Sequence, residues 1–251
     1  MAFHDDIGNR MKEYYEKVPR IKLVRRMPVA IRLDGKAFHT FTRGFQKPFD
    51  NILIRSMQDT MEYLCKNIQG CVFGYTQSDE ITLILRDYKE LTTQAWFDYE
   101  VQKMCSISAS MATMAFNSKF CKNVSLSGNS EDFERYASSV IKGAMFDSRC
   151  FNIPKEEVTN LLYWRQLDAI RNSVQMVGQA NFSHKELHGK SCSSIKDMLL
   201  EKDINWDELP VHLQRGSCCV KGDFGWTVDL NIPIFKGDGR NYVDKFVFLG
   251  D

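Results

Sequence analysis

Residues 29–85 constrain the fold most, because they contain strand and helix signals in a definite order. The run at 29–33 is apolar and rich in β-branched residues, which predicts a mostly buried strand that ends at Asp34. Apolar residues then recur at helical spacing over residues 53–68, with Asp50 in the position of an N-cap. This segment is therefore predicted to be an amphipathic helix.

Two more strands are predicted at residues 71–75 and 81–85, joined by the polar turn at residues 76–80. Longer helical patterns follow at residues 97–115 and 156–177, and small residues in the first of these permit close packing against a sheet. The order strand, helix, strand, strand indicates an α+β fold in which helices cover a sheet.

The remaining chain gives weaker signals. They predict a short helix after the polar stretch at 122–134, a strand at 150–153, a helix at 185–200, and strands near 218–221 and 242–249.

Composition bounds the class of protein. A chain of 251 residues with 43% hydrophobic side chains can bury a substantial core, and a net charge of +1 gives no overall attraction for a polyanion. The segment at 17–26 has five basic and no acidic residues, so it is either a phosphate-binding patch or a solvated basic face. Without a signal-like amino terminus or a run of about 18 apolar residues, we expect a cytoplasmic protein that does not enter a membrane.

Cysteine and histidine spacing gives little indication of a metal centre. The eight cysteines are scattered without a Cys-x-x-Cys pair, which favours reduced core thiols. His184 and His188 are one helical turn apart, but the glutamate between them is misplaced for His-Glu-x-x-His and no third ligand is evident. Zinc is therefore not expected.

Acidic residues stand at the ends of two predicted strands. Asp34 follows the first strand, and Asp79-Glu80 occupies the turn between the next two. Singly, Asp-Gly after a strand is an ordinary hairpin turn and Ser-Asp in a loop is a common helix cap. Together, a strand-helix-strand-strand unit brings the three acids to one sheet edge, where two divalent cations about 4 Å apart can offset their repulsion and promote phosphoryl transfer.

The residues after Asp34 provide groups suited to phosphate. The backbone from Gly35 to His39 offers successive N–H groups that can form an anion-binding nest, and Lys36 or Lys47 can add positive charge. The alternatives are an exposed Lys47 before a proline and a His39 that serves only as a satisfied polar residue.

Several motifs resemble the tRNA-histidine guanylyltransferase family in order and spacing, and the resemblance spans most of the chain. They are Arg32-Leu-Asp-Gly-Lys-Ala-Phe-His-Thr-Phe41, Lys47-Pro48, Tyr75-Thr-Gln-Ser-Asp-Glu80, Phe146-Asp147, Trp164-Arg-Gln-Leu-Asp168 and Phe182-Ser-His-Lys-Glu-Leu-His-Gly-Lys190.

The resemblance implies a palm-type polymerase or cyclase-like core, an antiparallel sheet covered by helices, with a mixed carboxyl-terminal extension. We expect a palm-like catalytic core at 1–145 and a helix-rich region at 146–251 packed on it. It further implies a nucleotidyltransferase that adds nucleotides in the 3′-5′ direction to the 5′ end of a tRNA, with GTP and ATP as substrates, two Mg²⁺ ions and a homotetrameric assembly.

The resemblance also assigns roles to individual residues. It implies metal binding by Asp34, Asp79 and the carbonyl of Gly35, with Glu80 in support of catalysis. The residues expected to bind the nucleotide, some of them through backbone N–H groups, are Asp34, Gly35, Lys36, Ala37, Phe38, His39, Lys47, Ser78 and Asp79.

One segment departs from the family pattern. Enzymes dedicated to tRNA-histidine have His-Ile-Asn-Asn-Leu-Tyr-Asn where this chain has Ile170-Arg-Asn-Ser-Val-Gln-Met176, and only Asn172 stays in register. Ile170 cannot hydrogen-bond as histidine does, and Arg171 suits phosphate contact without sequence readout. The sequence thus favours templated repair of truncated tRNA 5′ ends. The alternatives are a tRNA-histidine-specific guanylyltransferase, a nucleotide cyclase-like enzyme, and an inactive RNA-binding protein of the same fold.

Overall fold

The computed structural model describes residues 5–128 and 130–249. Its strands are β1 Val29–Gly35, β2 Cys71–Gln77, β3 Glu80–Leu85, β4 Phe146–Asn152, β5 Ser217–Gly222 and β6 Gly225–Asp229. Its α-helices are α1 Asp6–Met11, α2 Phe38–Phe41, α3 Asn51–Asn67, α4 Val101–Ser127, α5 Ser130–Lys142, α6 Lys155–Asn181, α7 His184–Leu187, α8 Cys192–Leu200, α9 Val211–Arg215 and α10 Asn241–Val247.

The six strands form one sheet in the order β4-β1-β3-β2-β5-β6, and every neighbouring pair is antiparallel. β1 pairs with β3 on one side and with β4 on the other, so neither of its edges is open. β2 and β3 form the predicted hairpin, joined by only two residues, Ser78 and Asp79. The predicted α+β class with an antiparallel sheet under helices is confirmed.

Successive side chains of each strand point to opposite faces of the sheet, so the core has two layers. Ile31 and Leu33 of β1 face the cluster formed with α3 and α4, where Met61 and Phe116 are buried. Ala30 faces the opposite cluster, which α6 and α10 cover. Side chains two residues apart on a strand share a face, so Arg32 and Asp34 lie on the α6 side of the sheet.

The predicted helix start at Asp50 is confirmed, because the Asp50 carboxylate accepts a hydrogen bond from the Leu53 N–H at 2.9 Å. The strand predicted at 242–249 is wrong: residues 241–247 form α10. Val243 and Val247 are spaced at i and i+4 and bury one helical face beneath the sheet. β-branched composition here reflects burial and not strand structure.

Strands from both predicted parts of the chain belong to the single sheet. β4 begins at Phe146 and pairs with β1, while β5 pairs with β2. The division at residue 145 stays a prediction, with the qualification that the sheet crosses it.

All eight cysteines are free thiols; Cys65, Cys218 and Cys219 are buried, Cys121 is exposed, and the other four are partly buried. None of the helices in the described part of the chain is long and apolar enough to span a membrane.

The basic segment at 17–26 is largely neutralised, because Lys17, Arg20, Lys22 and Arg25 each pair with a carboxylate. This pairing favours the solvated-face interpretation of that segment.

Candidate active site

Three carboxylates meet at one point of the sheet. In the register of the strands, Asp34 of β1 lies opposite Glu80 of β3 on one side and opposite Asp147 of β4 on the other. Asp79 directly precedes Glu80, and its carbonyl accepts a hydrogen bond from the Gly35 N–H at 3.0 Å. The predicted convergence of Asp34, Asp79 and Glu80 is thus present, and Asp147 is a fourth acid beside them.

The β2–β3 turn fixes Asp79 tightly. Ser78 adopts a left-handed conformation with φ of 50°, which allows the two-residue connection, and its hydroxyl donates to the Asp79 carboxylate at 3.1 Å. Burial raises the pKa of Asp79, and the nearby charge of Asp34 raises it further, whereas hydrogen bonds oppose the shift. Ionised Asp79 therefore sits in a site that lacks compensating positive charge.

Glu80 has a different environment from its neighbours. Its carboxylate is buried, and the Arg165 Nε of α6 lies 2.9 Å from its Oε1 without the alignment of a hydrogen bond. Arg32 Nε lies 4.0 Å from the other oxygen. Burial raises the pKa of Glu80, while Arg165 and Arg32 lower it. The Glu80 carboxylate forms an ion pair with Arg165 of α6, which suits a role in supporting Asp34 and Asp79.

The loop after β1 forms a cradle with fewer free backbone N–H groups than the sequence predicts. The N–H groups of Gly35 and Lys36 already donate to the carbonyls of Asp79 and Met145. Across residues 5–128 and 130–249, the N–H groups of Ala37, Phe38 and His39 donate no hydrogen bond. Ala37 has φ of 55°, and the left-handed to right-handed step at Ala37 and Phe38 is the geometry of an anion-binding nest.

A cavity of about 480 Å³ lies between this cradle and the β2–β3 turn. Asp50 at its wall accepts hydrogen bonds from the Gln46 N–H at 2.9 Å and from the Tyr136 hydroxyl at 2.7 Å, which hold the loop in place. Lys47 lines the cavity with an exposed side chain and makes no ion pair to a described carboxylate. The other lining residues include Gly35, Ala37, Phe38, His39, Thr42, Phe45, Ser78, Asp79 and Met176.

Seven of the predicted site residues therefore line one cavity, and three do not. Asp34 and Glu80 lie at its inner edge through the strand register, whereas the Lys36 side chain is exposed. These assignments to nucleotide and metal binding stay predictions.

The donor set suits Mg²⁺. No cation in the described part of the chain pairs with Asp34 or Asp79, so the carboxylate of Asp79 at the cavity wall and that of Asp34 at its inner edge are both uncompensated. The described residues contain no group of three or more His, Cys, Asp or Glu side chains arranged to hold a metal. Mg²⁺ commonly binds through one or two carboxylates plus substrate phosphates and water, which matches this arrangement. His184 and His188, with ring centres 6.0 Å apart, likewise have no third ligand among those residues.

The segment that departs from the family pattern contributes to the site. Asn172 and Met176 line a recess of about 100 Å³ that adjoins the main cavity. Arg171 is paired with Asp168, so it is less free for phosphate contact than the sequence indicates.

Two residues beside the acids, Arg165 and Asp147, receive no role from sequence reasoning alone. Both depend on tertiary packing, because Arg165 reaches Glu80 from α6 and Asp147 reaches Asp34 through the pairing of β4 with β1. The signal that could have found them is their place in the motifs Trp164-Arg-Gln-Leu-Asp168 and Phe146-Asp147.

Comparisons with known proteins agree with this geometry. A family model described as tRNAHis guanylyltransferase matches residues 8–154, more than half of the chain. An uncharacterized protein of Acanthamoeba polyphaga mimivirus is 30% identical over 227 residues, covering 85% of this chain and 76% of that protein.

Two solved structures are similar over almost the whole chain. A bacterial tRNA(His) guanylyltransferase-like protein in complex with ATP has a TM-score of 0.86 and 45% identity, covering 97% of this chain and 100% of that one. The corresponding structure in complex with GTP has a TM-score of 0.80 and 41% identity, covering 98% and 100%. The family model and these two structures show that this chain belongs to the tRNA-histidine guanylyltransferase family and is a nucleotidyltransferase.

Proposed function

We propose that this enzyme repairs truncated tRNAs by adding nucleotides to their 5′ ends in the 3′-5′ direction, with the opposing strand as template. The observation that supports it best is the pair of uncompensated carboxylates, Asp34 and Asp79, beside a cradle of free backbone N–H groups. This arrangement suits a polyphosphate and the groups that phosphoryl transfer requires.

The proposed chemistry has two steps. A 5′-monophosphate end first attacks the α-phosphate of ATP, which forms an adenylated end and releases pyrophosphate. The 3′-hydroxyl of the incoming nucleoside triphosphate then attacks the 5′-terminal phosphate, a phosphodiester bond forms, and AMP leaves. A 5′-triphosphate end needs no first step, and pyrophosphate leaves instead.

The residues of the chain bind and orient the reactants in this scheme. The N–H groups of Ala37, Phe38 and His39 hold the triphosphate, and Lys47 adds positive charge to it. Asp34, Asp79 and the Gly35 carbonyl would hold two Mg²⁺ ions, which supply positive charge to the attacking and leaving oxygens. Arg165 keeps Glu80 turned towards α6, so Asp34 and Asp79 remain the ligands.

The substrate proposal follows from the segment at 170–176. It lacks the histidine and most of the asparagines of enzymes dedicated to tRNA-histidine, and Ile170 and Met176 supply apolar surface where those enzymes have polar groups. A site that reads no base identity leaves nucleotide choice to base pairing, so one enzyme can serve many tRNAs.

The test compares full-length tRNA-histidine with several tRNAs that lack their first nucleotide, in the presence of Mg²⁺ and each labelled nucleoside triphosphate. Incorporation should follow the opposing base on every truncated tRNA. Strong preference for untemplated guanosine on tRNA-histidine alone would instead identify a tRNA-histidine-specific guanylyltransferase. A cyclic nucleotide product would identify a cyclase, and RNA binding without incorporation an inactive relative.

Homotetrameric assembly and a cytoplasmic location complete the proposal. Exposed apolar side chains along the first described helix and the residues after it, Ile7, Met11, Tyr14, Tyr15 and Val18, support self-association. Light scattering coupled to size-exclusion chromatography tests the tetramer directly, and a monomer at micromolar concentration would contradict it.

A further inference from the structure

A tryptophan stands exposed beside the catalytic edge. Trp164 of α6 has 53% of its surface accessible to solvent, although tryptophan is usually buried. It directly precedes Arg165, whose guanidinium contacts Glu80, and Glu80 lies opposite Asp34. The sequence around this ring is therefore anchored to the acids through one ion pair.

Two guanidinium groups support the indole from the protein side. The Arg165 Cζ lies 4.2 Å from the ring centre, and the Arg32 Cζ lies 5.7 Å from it. Arg165 is 7% exposed, so it lies beneath the ring and leaves outer ring surface open. Cation–π contacts of this kind fix the orientation of an aromatic side chain.

A third guanidinium lies beside Arg32 on the same face of the sheet. Arg149 of β4 is the register partner of Arg32, and its side chain is 52% exposed. Among the described residues, its one polar contact is with the Asp147 carboxylate at 3.4 Å, so its guanidinium retains donors for another acceptor. An open indole with arginine nearby is the chemistry that binds unpaired nucleotides, whose bases stack on aromatic rings.

The ring and the nucleotide cavity lie at different ends of the pair Asp79-Glu80, because Asp79 lines the cavity whereas Glu80 contacts Arg165 beside the ring. Met176 lines the cavity, and Trp164 lies twelve residues earlier on the same helix, about 18 Å away along its axis. Arg165, which pairs with Glu80, and Asp168, which pairs with Arg165, both lie near the Trp164 end of this interval. An RNA end placed at Asp34 thus has the incoming nucleotide on one side and Trp164 on the other.

We propose that Trp164 is the stacking platform for the unpaired 3′ nucleotides of the tRNA acceptor strand, an inference that rests on the proposed function. The 3′ strand continues past the 5′ end as single-stranded RNA, so it leaves the duplex next to the catalytic acids. Duplex bases are already stacked on one another, and only the unpaired tail offers free base faces to an indole. Stacking there would hold the 5′ end at Asp34 without reading its sequence.

The experiment combines protein variants with matched RNAs. Wild-type enzyme, Trp164→Ala and Trp164→Phe are each titrated with a tRNA lacking its first nucleotide, either with its unpaired 3′ nucleotides or without them. Both RNAs retain the templating base. Affinity is measured by fluorescence anisotropy without nucleotide, and incorporation is measured separately. Leu126→Ala, which removes a side chain 70% exposed on α4 over the other sheet face, is the matched control.

Trp164→Ala should weaken binding of the tailed RNA about 5- to 150-fold, the range expected for one lost stacked base. It should leave binding of the tailless RNA unchanged, and Trp164→Phe should retain most of the affinity. Equal losses on both RNAs, or no loss on either, would overturn the proposal. Tail-dependent binding through Trp164 without any incorporation by the wild type would refute the repair function alone, and normal incorporation with no role for Trp164 would refute this inference alone.

Discussion

Glu80 lies directly opposite Asp34 in the sheet, yet its carboxylate forms an ion pair with Arg165 of α6. The two acids are neighbours in different environments: Glu80 is neutralised by Arg165 of α6, whereas Asp34 pairs with no cation in the described part of the chain. This separation decides what each substitution should do.

Removing Asp34 or Asp79 should abolish incorporation and spare the fold. Asp34→Ala and Asp79→Ala each eliminate a proposed metal ligand, so turnover with Mg²⁺ should fall by at least about 1000-fold, on the order of 4 kcal/mol of transition-state stabilisation. The melting temperature should be unchanged or slightly higher, because one repulsive charge is gone. Asp197→Ala, at an exposed acid on α8, is the control. Comparable turnover in either site variant would contradict the two-metal assignment.

Removing Arg165 should cost stability as well as activity. Arg165→Met leaves Glu80 buried without its closest partner, which costs about 3–5 kcal/mol in buried ion pairs. The double variant Arg165→Met/Glu80→Gln should recover most of this free energy of unfolding. Chemical denaturation of Arg165→Met, Glu80→Gln and the double variant measures the coupling free energy between the two side chains. Strictly additive losses would show that the pair is not coupled.

Lys47 should affect nucleotide use more than protein stability. Lys47→Ala removes a charge that faces the cavity, so the KM for nucleoside triphosphate should rise about 10- to 150-fold, the range for a charge-assisted hydrogen bond. Lys89→Ala, beyond the other end of β3, should change nothing. Lys47 would be only a surface residue if nucleotide titrations of the two variants coincide.

Gly35 should not tolerate a side chain. A Cβ at this position would lie 2.2 Å from the Phe38 ring, which is packed against Phe116 and Phe146. Gly35→Ala should therefore cost about 1–3 kcal/mol of stability and displace the phosphate cradle. Adding Phe38→Leu should restore stability. Differential scanning calorimetry of both variants checks this, and an unperturbed Gly35→Ala would argue against a rigid cradle.

His212 should make the protein sensitive to mild acid. Burial lowers its pKa, so the folded protein keeps the neutral ring while the unfolded chain takes up a proton first. Stability should thus fall as pH drops through the usual histidine value of about 6.5 towards the lowered value. His212→Gln should lose less stability over this range than the wild type, and His184→Gln, at an exposed site, should behave like the wild type. Parallel melting curves for all three proteins would exclude His212 as the cause.

The sequence predicts local features of this protein well because periodicity and capping act over a few residues. β1, the Asp50 cap and the hairpin around Asp79 all follow from such patterns. The ion pair between Glu80 and Arg165 joins positions 85 apart, so no local pattern could reveal it. The Lys36 N–H is predicted from the sequence to bind an anion, but tertiary contact gives it the Met145 carbonyl instead.

Burial also explains the main error in secondary structure. Residues 241–247 are rich in valine and aromatic side chains, as strands are, but they bury one helical face against Phe73 and its neighbours. The pairing of Arg171 with Asp168 is of the opposite kind, because an acid and a cation three residues apart on one helix are neighbours that local spacing already indicates.

β1 is hydrogen-bonded along both edges and covered on both faces. Its amides should therefore be among the slowest in the molecule to exchange with deuterium. Asp34 lies on this protected strand, whereas the exposed Lys47 lies on the loop before α3. The proposed metal ligand thus lies on the part of the molecule that opens least, and the proposed phosphate contact lies on a part that can adjust without disturbing it.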